Sequence, residues 1–122
     1  MRWLIHGNVT PAAVEAMRRH EQKPLSAADV QLAPDAATAD VLLGATNAQL
    51  EILTTDSSLV DGIFESRLPY SRTLVYLQLE GGDVEQDDAI DRLFTRYKRL
   101  SAGRMYTVTG SRVKVRQLPG KQ

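Results

Sequence analysis

The segment that most constrains the fold is "RTLVYLQLE", residues 72–80, because its centre is almost continuously apolar. Such a run is typical of a strand that is buried on both faces of a parallel sheet. Parallel strands need long crossover connections, which are usually helices. The rest of the chain is therefore expected to supply further strands that alternate with helices.

The chain shows this alternation on both sides of residues 72–80. Strands are predicted at 2–5 and 51–55, and helices after Thr10 and Pro11, after the cap candidate Thr38, over 57–67 and within 81–100. Residues 24–37 are ambiguous and allow a short strand at 24–26 or at 29–32. The final segment alternates on both sides of "TGSR", which predicts a β-hairpin.

This order of elements predicts one α/β domain over residues 1–122, with a mainly parallel sheet, helices on both faces and right-handed crossovers. In open sheets of this kind, ligands bind outside the carboxyl ends of the strands. The residues that directly follow the predicted strands are therefore the candidates for a site. They are His6, Gly7 and Asn8, then Asp56, Ser57 and Ser58, and then residues 78–80.

Composition indicates an ordinary globular domain, with 43% apolar and 25% charged residues in 122. No apolar run approaches the roughly 18–20 residues that span a membrane, and the first ten residues turn polar too quickly for a signal peptide. We therefore expect a cytoplasmic protein without a membrane partner. The chain has no cysteine, which excludes disulfides, thiolate zinc sites and cysteine nucleophiles.

The formal charge of zero conceals two opposite halves. Residues 1–91 contain all 15 acids and 6 of the bases, whereas residues 92–122 contain 9 bases and no acid. A basic segment of this kind points to an anionic partner such as RNA, or to neutralisation of one half by the other within the fold or an oligomer.

Four stretches together resemble the small PIN-like proteins of bacteria. They are "WLIHGNVTPAAVEAMRRH", "ATADVLLGATNAQLEILTTDSSLVDGIF", "LVYLQLE" and "GRMYTVTGSRVKVRQLP". The resemblance implies a three-layer α/β/α fold and a relation to metal-dependent ribonucleases that use Mg²⁺ or Mn²⁺. It also implies RNA as a partner, and an antitoxin-like protein or a second copy of the chain as further partners.

PIN-like nucleases gather several acids at the carboxyl edge of the sheet, where the acids hold the metal that activates water. The resemblance matches Asp56 and Asp40 to two of these acids, as catalytic residues and metal ligands. His6 stands where the family has an aspartate at the end of the first strand and becomes a third metal ligand. Ser58 stands where the family has the second acid of its Asp–x–Asp motif.

The site implied by the resemblance is therefore thinned, and we expect a PIN-like protein with reduced or lost nuclease activity. The alternatives are an active Mg²⁺- or Mn²⁺-dependent ribonuclease of toxin–antitoxin type, and a module that binds RNA or protein without catalysis. A site with fewer carboxylate ligands should bind Mg²⁺ or Mn²⁺ more weakly, because the number of charged ligands sets the affinity for such hard ions. The thinned site therefore favours loss of activity.

Each candidate residue also has a structural interpretation. Asp56 is well placed to cap the following helix, Asp40 suits the first turn of its own helix, and His6 suits a hydrogen-bonded position at a strand end. Asn8 is a candidate to bind phosphate or only to close its turn, and Ser58 is a second candidate for RNA contact.

Arg112, Lys114 and Arg116 alternate along the last predicted strand, so their side chains are expected to share one face. Aligned cations can follow a phosphate backbone. They also protect an edge strand against aggregation, and the sequence leaves both interpretations open.

Overall fold

The computed structural model describes residues 1–119 and gives an α/β fold with one six-stranded sheet and four helices. The strands are β1 (Arg2–His6), β2 (Lys23–Leu25), β3 (Glu51–Thr54), β4 (Leu74–Leu77), β5 (Arg104–Val108) and β6 (Val113–Gln117). The helices are α1 (Pro11–Arg19), α2 (Thr38–Ala48), α3 (Ser57–Phe64) and α4 (Asp83–Arg96), with a 3₁₀ turn at Ala28–Val30. The ambiguous segment thus forms its strand at the earlier of the two predicted positions.

The sheet has the strand order β2-β1-β3-β4-β5-β6. The first five strands pair in parallel, and β6 pairs antiparallel with β5 at the far edge. The chain moves outward from β1 to β2 and then returns to the other side of β1 with β3. The order therefore reverses between β1 and β3, and a crevice is expected where their carboxyl ends separate.

Local sequence explains where two of the helices begin. Thr10 caps α1 by accepting a hydrogen bond from the backbone N–H of Ala13, and Pro11 occupies the first turn. Asp56 caps α3 by accepting from the N–H of Ser58. The cap predicted at Thr38 is wrong, because Ala37 is the N-cap of α2 and Thr38 is already helical.

Two apolar clusters cover the two faces of the sheet and make three layers. Helices α1 and α4 pack on one face, where Trp3, Leu53 and Val75 belong to the same cluster as Met17 and Ile90. Helices α2 and α3 pack on the opposite face, around the sheet residues Leu4, Ile52, Leu74 and Met105. We call these the α1/α4 face and the α2/α3 face.

One crossover differs in hand from the other three. The connection through α1 steps from β1 to β2 in one direction, whereas the connection through α4 steps from β4 to β5 in the opposite direction. Both helices lie on the same face, so the two crossovers have opposite hands. The expectation of uniformly right-handed crossovers is therefore wrong, even though left-handed crossovers between parallel strands are rare.

The position of α4 has a direct consequence for the sheet surface. A fourth crossover of the common hand would have placed α4 on the α2/α3 face, above β4 and β5. Because α4 packs beside α1 instead, the α2/α3 face remains uncovered over part of β4, β5 and β6.

Within residues 1–119, no helix has the length and apolar character needed to cross a bilayer.

Candidate functional site

A row of polar side chains crosses five adjacent strands close to the carboxyl edge of the sheet. The strand register pairs His6 with Thr54, Thr54 with Tyr76, Tyr76 with Thr107, and Thr107 with Lys114. These five residues, which we call the polar row, share the α2/α3 face, because side chains alternate along a strand. Strands lie about 4.8 Å apart, so the row is about 19 Å long.

The next row on the same face is apolar in the middle of the sheet. It consists of Leu4, Ile52, Leu74 and Met105, which α2 and α3 help to bury. The change from apolar to polar therefore occurs at the same level in four consecutive strands. Burial of polar side chains costs free energy unless they are paired, and Thr54 and Thr107 of this row are buried, which makes the polar row a candidate site.

His6 and Thr54 form the most closely connected part of the polar row. Nδ1 of His6 lies 2.8 Å from Oγ1 of Thr54, and the backbone N–H of Asp56 donates to the same Oγ1 at 2.9 Å. Thr54 is fully buried, at 0% exposure, so its hydroxyl proton needs an acceptor. Nδ1 of His6 supplies that acceptor, which leaves the ring proton of His6 on Nε2.

The electrostatics of His6 agree with a neutral ring. Burial lowers the pKa of His6 below its ordinary value of 6.5, and the negative charge of Asp56 only partly opposes this effect. His6 is therefore neutral at pH 7 and presents an N–H donor at Nε2. Ligation of a metal through Nε2 would require the proton to move to Nδ1 and would leave the Thr54 hydroxyl without an acceptor.

Further hydrogen bonds join the loop after β1 to the loop after β3. The backbone N–H of Asn8 donates to Oγ1 of Thr55 at 2.7 Å. Gly7 has a φ of +78°, and a Cβ at this position would lie only 2.7 Å from the same Oγ1. A side chain at position 7 would thus be unfavourable for two reasons, the positive φ of the backbone and the close contact with Thr55 Oγ1. The crevice between β1 and β3 is closed by these contacts.

Gln86 holds the β1–α1 loop from the other side. This residue is buried on α4, its Oε1 accepts from the N–H of Thr10 at 2.9 Å, and its Nε2 donates to the carbonyl of Asn8 at 3.1 Å. The backbone of Asn8 is therefore fixed at both its N–H and its carbonyl. The side chain of Asn8 is exposed at the carboxyl edge.

The structure places Asp56 at the carboxyl edge, where Oδ1 accepts the capping hydrogen bond from Ser58 N–H at 2.8 Å. Asp40 is exposed in the first turn of α2. Among residues 1–119, no group of three histidine or acidic side chains is arranged to hold a metal ion. Asp56, Asp40 and His6 are therefore not brought together as a ligand set in this conformation.

A large concave surface lies directly above the carboxyl ends of β3, β4 and β5. This edge cleft has a volume of about 770 Å³, and its walls include Thr55, Tyr76, Gln78, Glu80 and Glu85. The carboxylate of Glu85 lies against Gly81, where an added Cβ would collide with it. Glu80 is exposed, and its carboxylate forms no hydrogen bond or ion pair with the residues that the structure describes.

A second concavity, the sheet groove, lies on the uncovered part of the α2/α3 face. Its volume is about 420 Å³, and Tyr76 and Gln78 belong to its wall and to that of the edge cleft. Lys114 and Arg116 line its outer side. The guanidinium of Arg116 lies 3.9 Å from the centre of the Phe64 ring, a cation–π contact that orients the side chain over the groove.

Thr107 lies at the floor of the sheet groove. The residue is only 8% exposed, and its hydroxyl forms no hydrogen bond with the residues that the structure describes. Its Oγ1 is not sealed from solvent, so a ligand in the groove can reach it. The groove thus presents an unused hydroxyl next to two cations, with the Tyr76 ring in the same wall.

The remaining candidates are not all adjacent to this groove. Arg112 lies in the turn before β6 and lines a separate groove against Arg92 and Arg96 of α4. The expected single face for the three cations thus holds for Lys114 and Arg116, whereas Arg112 lies elsewhere. Ser58 is exposed in the first turn of α3, where its N–H is used by the Asp56 cap.

Sequence reasoning missed Thr54, Tyr76 and Thr107 as members of the site. Each residue follows an apolar position by two in its strand, so the period of two contained a usable signal. The strand order that brings them into one row cannot be predicted from the local sequence.

Comparison of the chain with protein families, curated proteins and solved structures finds no match.

Proposed function

We propose that this protein is a cytoplasmic PIN-like domain that binds single-stranded RNA and has reduced or lost nuclease activity. The observation that carries the proposal is the sheet groove, in which Lys114 and Arg116 accompany Tyr76 and the unpartnered hydroxyl of Thr107. These groups lie beside the carboxyl edge, where sheets of this kind bind ligands.

The chemistry of the sheet groove favours RNA in single-stranded form. Cations provide attraction to phosphates, and an accessible aromatic ring provides a surface on which an unpaired base can stack. Tyr76 is half-buried, and its hydroxyl makes no hydrogen bond within the described part of the chain. A double helix would hide its base faces from this ring.

We expect weak or absent cleavage because of the positions and hydrogen bonds of Asp56, His6 and Asp40. One oxygen of Asp56 is held in the α3 cap, and Nδ1 of His6 is paired with Thr54. Asp40 is exposed on α2. Hard metal ions in nucleases require several oxygen ligands at once, and these three residues do not form such a set in the described structure.

The test is to incubate the protein with end-labelled single-stranded RNA in Mg²⁺, in Mn²⁺ and in a chelator, and to measure retention and cleavage on the same samples. We expect the RNA to be retained in all three conditions and recovered intact. Metal-dependent cleavage at a rate typical of a nuclease would contradict the loss of activity. Failure to retain RNA even at low salt would contradict RNA binding.

An active metal-dependent ribonuclease of toxin–antitoxin type is the second candidate. It is favoured by the carboxylates of Glu80 and Glu85 in the edge cleft and by the oxygen of Asp56 that the cap leaves free. In this case Mn²⁺ or Mg²⁺ should support cleavage, and Asp56→Asn should abolish it while keeping the cap. Asp88→Asn, an exposed change on α4, is the matched control and should cleave normally.

A module that binds protein without RNA is the third candidate, with an antitoxin-like protein or a second copy of the chain as partner. An intact fold that fails to retain RNA would favour it. The net positive charge of residues 92–122 would then attract an acidic surface of the partner protein.

A further inference from the structure

We infer that the sheet groove and the edge cleft together form a nucleotide subsite that distinguishes cytosine from uracil. In this subsite a phosphate lies at Thr107 and Lys114, the base stacks on Tyr76, and Glu80 accepts a hydrogen bond from the exocyclic amino group of the base. The inference rests on the proposed binding of single-stranded RNA and names the part of the RNA that the site recognises.

The first step of the argument is the opposite charge of the two concavities. The sheet groove is lined by Lys114 and Arg116, whereas the edge cleft is lined by Glu80 and Glu85. A phosphate is attracted to the first and repelled by the second. A bound nucleotide therefore has one favourable orientation, with its phosphate in the groove and its base toward the cleft.

The second step is the continuity between the two concavities. Tyr76 and Gln78 belong to both walls, so a ligand that fills the groove can extend into the cleft without leaving the protein surface. The Tyr76 ring lies at the boundary between the cationic and the acidic ends. A base beside this ring would stack on it, and its polar edge would face the cleft.

The third step is the unpartnered hydroxyl of Thr107. Thr107 is 8% exposed, and its hydroxyl has no protein partner in the described structure but is accessible from the sheet groove, where a ligand can replace water. The register places Lys114 directly opposite Thr107. A hydroxyl donor and an ammonium group side by side suit a phosphate oxygen.

The fourth step concerns base selection at Glu80. An ionised carboxylate only accepts hydrogen bonds, and it has no partner in the described protein. Cytosine presents an amino group at the position where uracil presents a carbonyl oxygen. Glu80 would therefore bind cytosine and repel the corresponding oxygen of uracil, although the two bases have the same size.

The experiment compares the affinities for oligocytidylate and oligouridylate of equal length, by fluorescence anisotropy in one buffer. We expect the wild-type protein to bind the cytidine oligomer about tenfold more tightly, which corresponds to one hydrogen bond with a charged acceptor. Glu80→Gln should bring the two affinities to within about twofold, because an amide can either donate or accept. Glu65→Gln, an exposed change at the end of α3, should keep the tenfold ratio.

A Thr107→Val variant tests the phosphate position. Valine has nearly the same shape, and it removes a hydroxyl without a protein partner, so the stability of the fold should change little. We expect both oligomers to bind several-fold more weakly while their affinity ratio stays unchanged. A stable variant with wild-type affinity would overturn the role of Thr107.

The outcomes separate this inference from the proposed function. Equal affinities of the wild-type protein for both oligomers would overturn the base preference and leave RNA binding standing. A cytosine preference that persists in Glu80→Gln would overturn the assignment to Glu80. Absence of binding to either oligomer at low salt would instead contradict the proposed function itself.

Discussion

The hydroxyl of Thr54 lies 2.8 Å from Nδ1 of His6 and accepts the backbone N–H of Asp56 at 2.9 Å. One buried oxygen thus joins the ends of β1 and β3 at the point where the strand order reverses. Because Nδ1 of His6 is paired with this oxygen, His6 presents its ring proton at Nε2. The same oxygen also holds the backbone of Asp56, the N-cap residue of α3.

Replacement of Thr54 by valine should destabilise the protein by about 1–3 kcal/mol, because the Asp56 N–H loses its acceptor while it stays partly buried. Chemical denaturation measures this change. Thr46→Val is the control, since Thr46 is exposed on α2 and its hydroxyl donates to the carbonyl of Leu42 within the same helix. Its effect should stay within about 0.5 kcal/mol. Equal effects of the two changes would show that the Thr54 bridge has no special role.

The lowered pKa of His6 predicts how stability depends on pH. The unfolded chain takes up a proton near the ordinary value of 6.5, whereas the folded protein resists protonation until a lower pH. In the window below 6.5 the unfolded state therefore binds more protons, and the free energy of unfolding should fall as the pH falls through this window. His6→Asn should reduce this slope, as followed by denaturation at several pH values.

The charge of Asp56 raises the pKa of His6 against the larger effect of burial. Asp56→Asn should consequently move the pKa of His6 further down, as measured by NMR titration of the imidazole. Asp40→Asn should leave it unchanged, because Asp40 does not contribute to the shift. A shift caused by Asp40→Asn would show that Asp40 lies closer to His6 in solution than in this structure.

Glu51 and Arg72 form an ion pair at the opposite edge of the sheet, at the start of β3. Nη2 of Arg72 donates to Oε2 of Glu51 at 2.7 Å, and the N–H of Thr73 donates to Oε1 at 3.0 Å, with the Glu51 side chain only 6% exposed. Glu51→Ala should destabilise the protein by about 2–4 kcal/mol, since it leaves both donors without their acceptor.

The exposed pair of Arg18 and Glu15 on α1 is the control for this change. Glu15→Ala should cost less than about 0.5 kcal/mol, because pairs in water contribute little. Thermal or chemical denaturation of the two variants gives the comparison. A small effect of Glu51→Ala would mean that water readily replaces Glu51 as the partner of Arg72.

The sequence allowed the order of helices and strands to be predicted because the local signals were strong. Pro11 after Thr10, Asp56 before a helical apolar pattern, and the apolar centre of residues 72–80 each determine one element through short-range chemistry. The cap of α2 was misplaced at Thr38, because a threonine near a helix start can also occupy its first turn. Boundaries of this kind depend on the neighbouring backbone.

The candidate site was only partly predictable. Asp56 was expected both as a cap and as a ligand, and the structure shows the capping bond. The polar row depends on strand order and register, which arise from packing between distant segments. The open face over β5 depends on the side of the sheet that α4 occupies. The amphipathic pattern of α4 is the same for either side, so its sequence does not reveal the choice.

The most direct measurement of the central claim is the salt dependence of single-stranded RNA binding by two matched double variants. In Lys114→Ala/Arg116→Ala, the loss of two phosphate contacts should reduce the slope of log affinity against log salt by about 1.4. Lys98→Ala/Arg99→Ala removes the same charge from the exposed loop before β5, and should leave the slope unchanged. Equal slopes for both variants and the wild type would contradict RNA binding in the sheet groove.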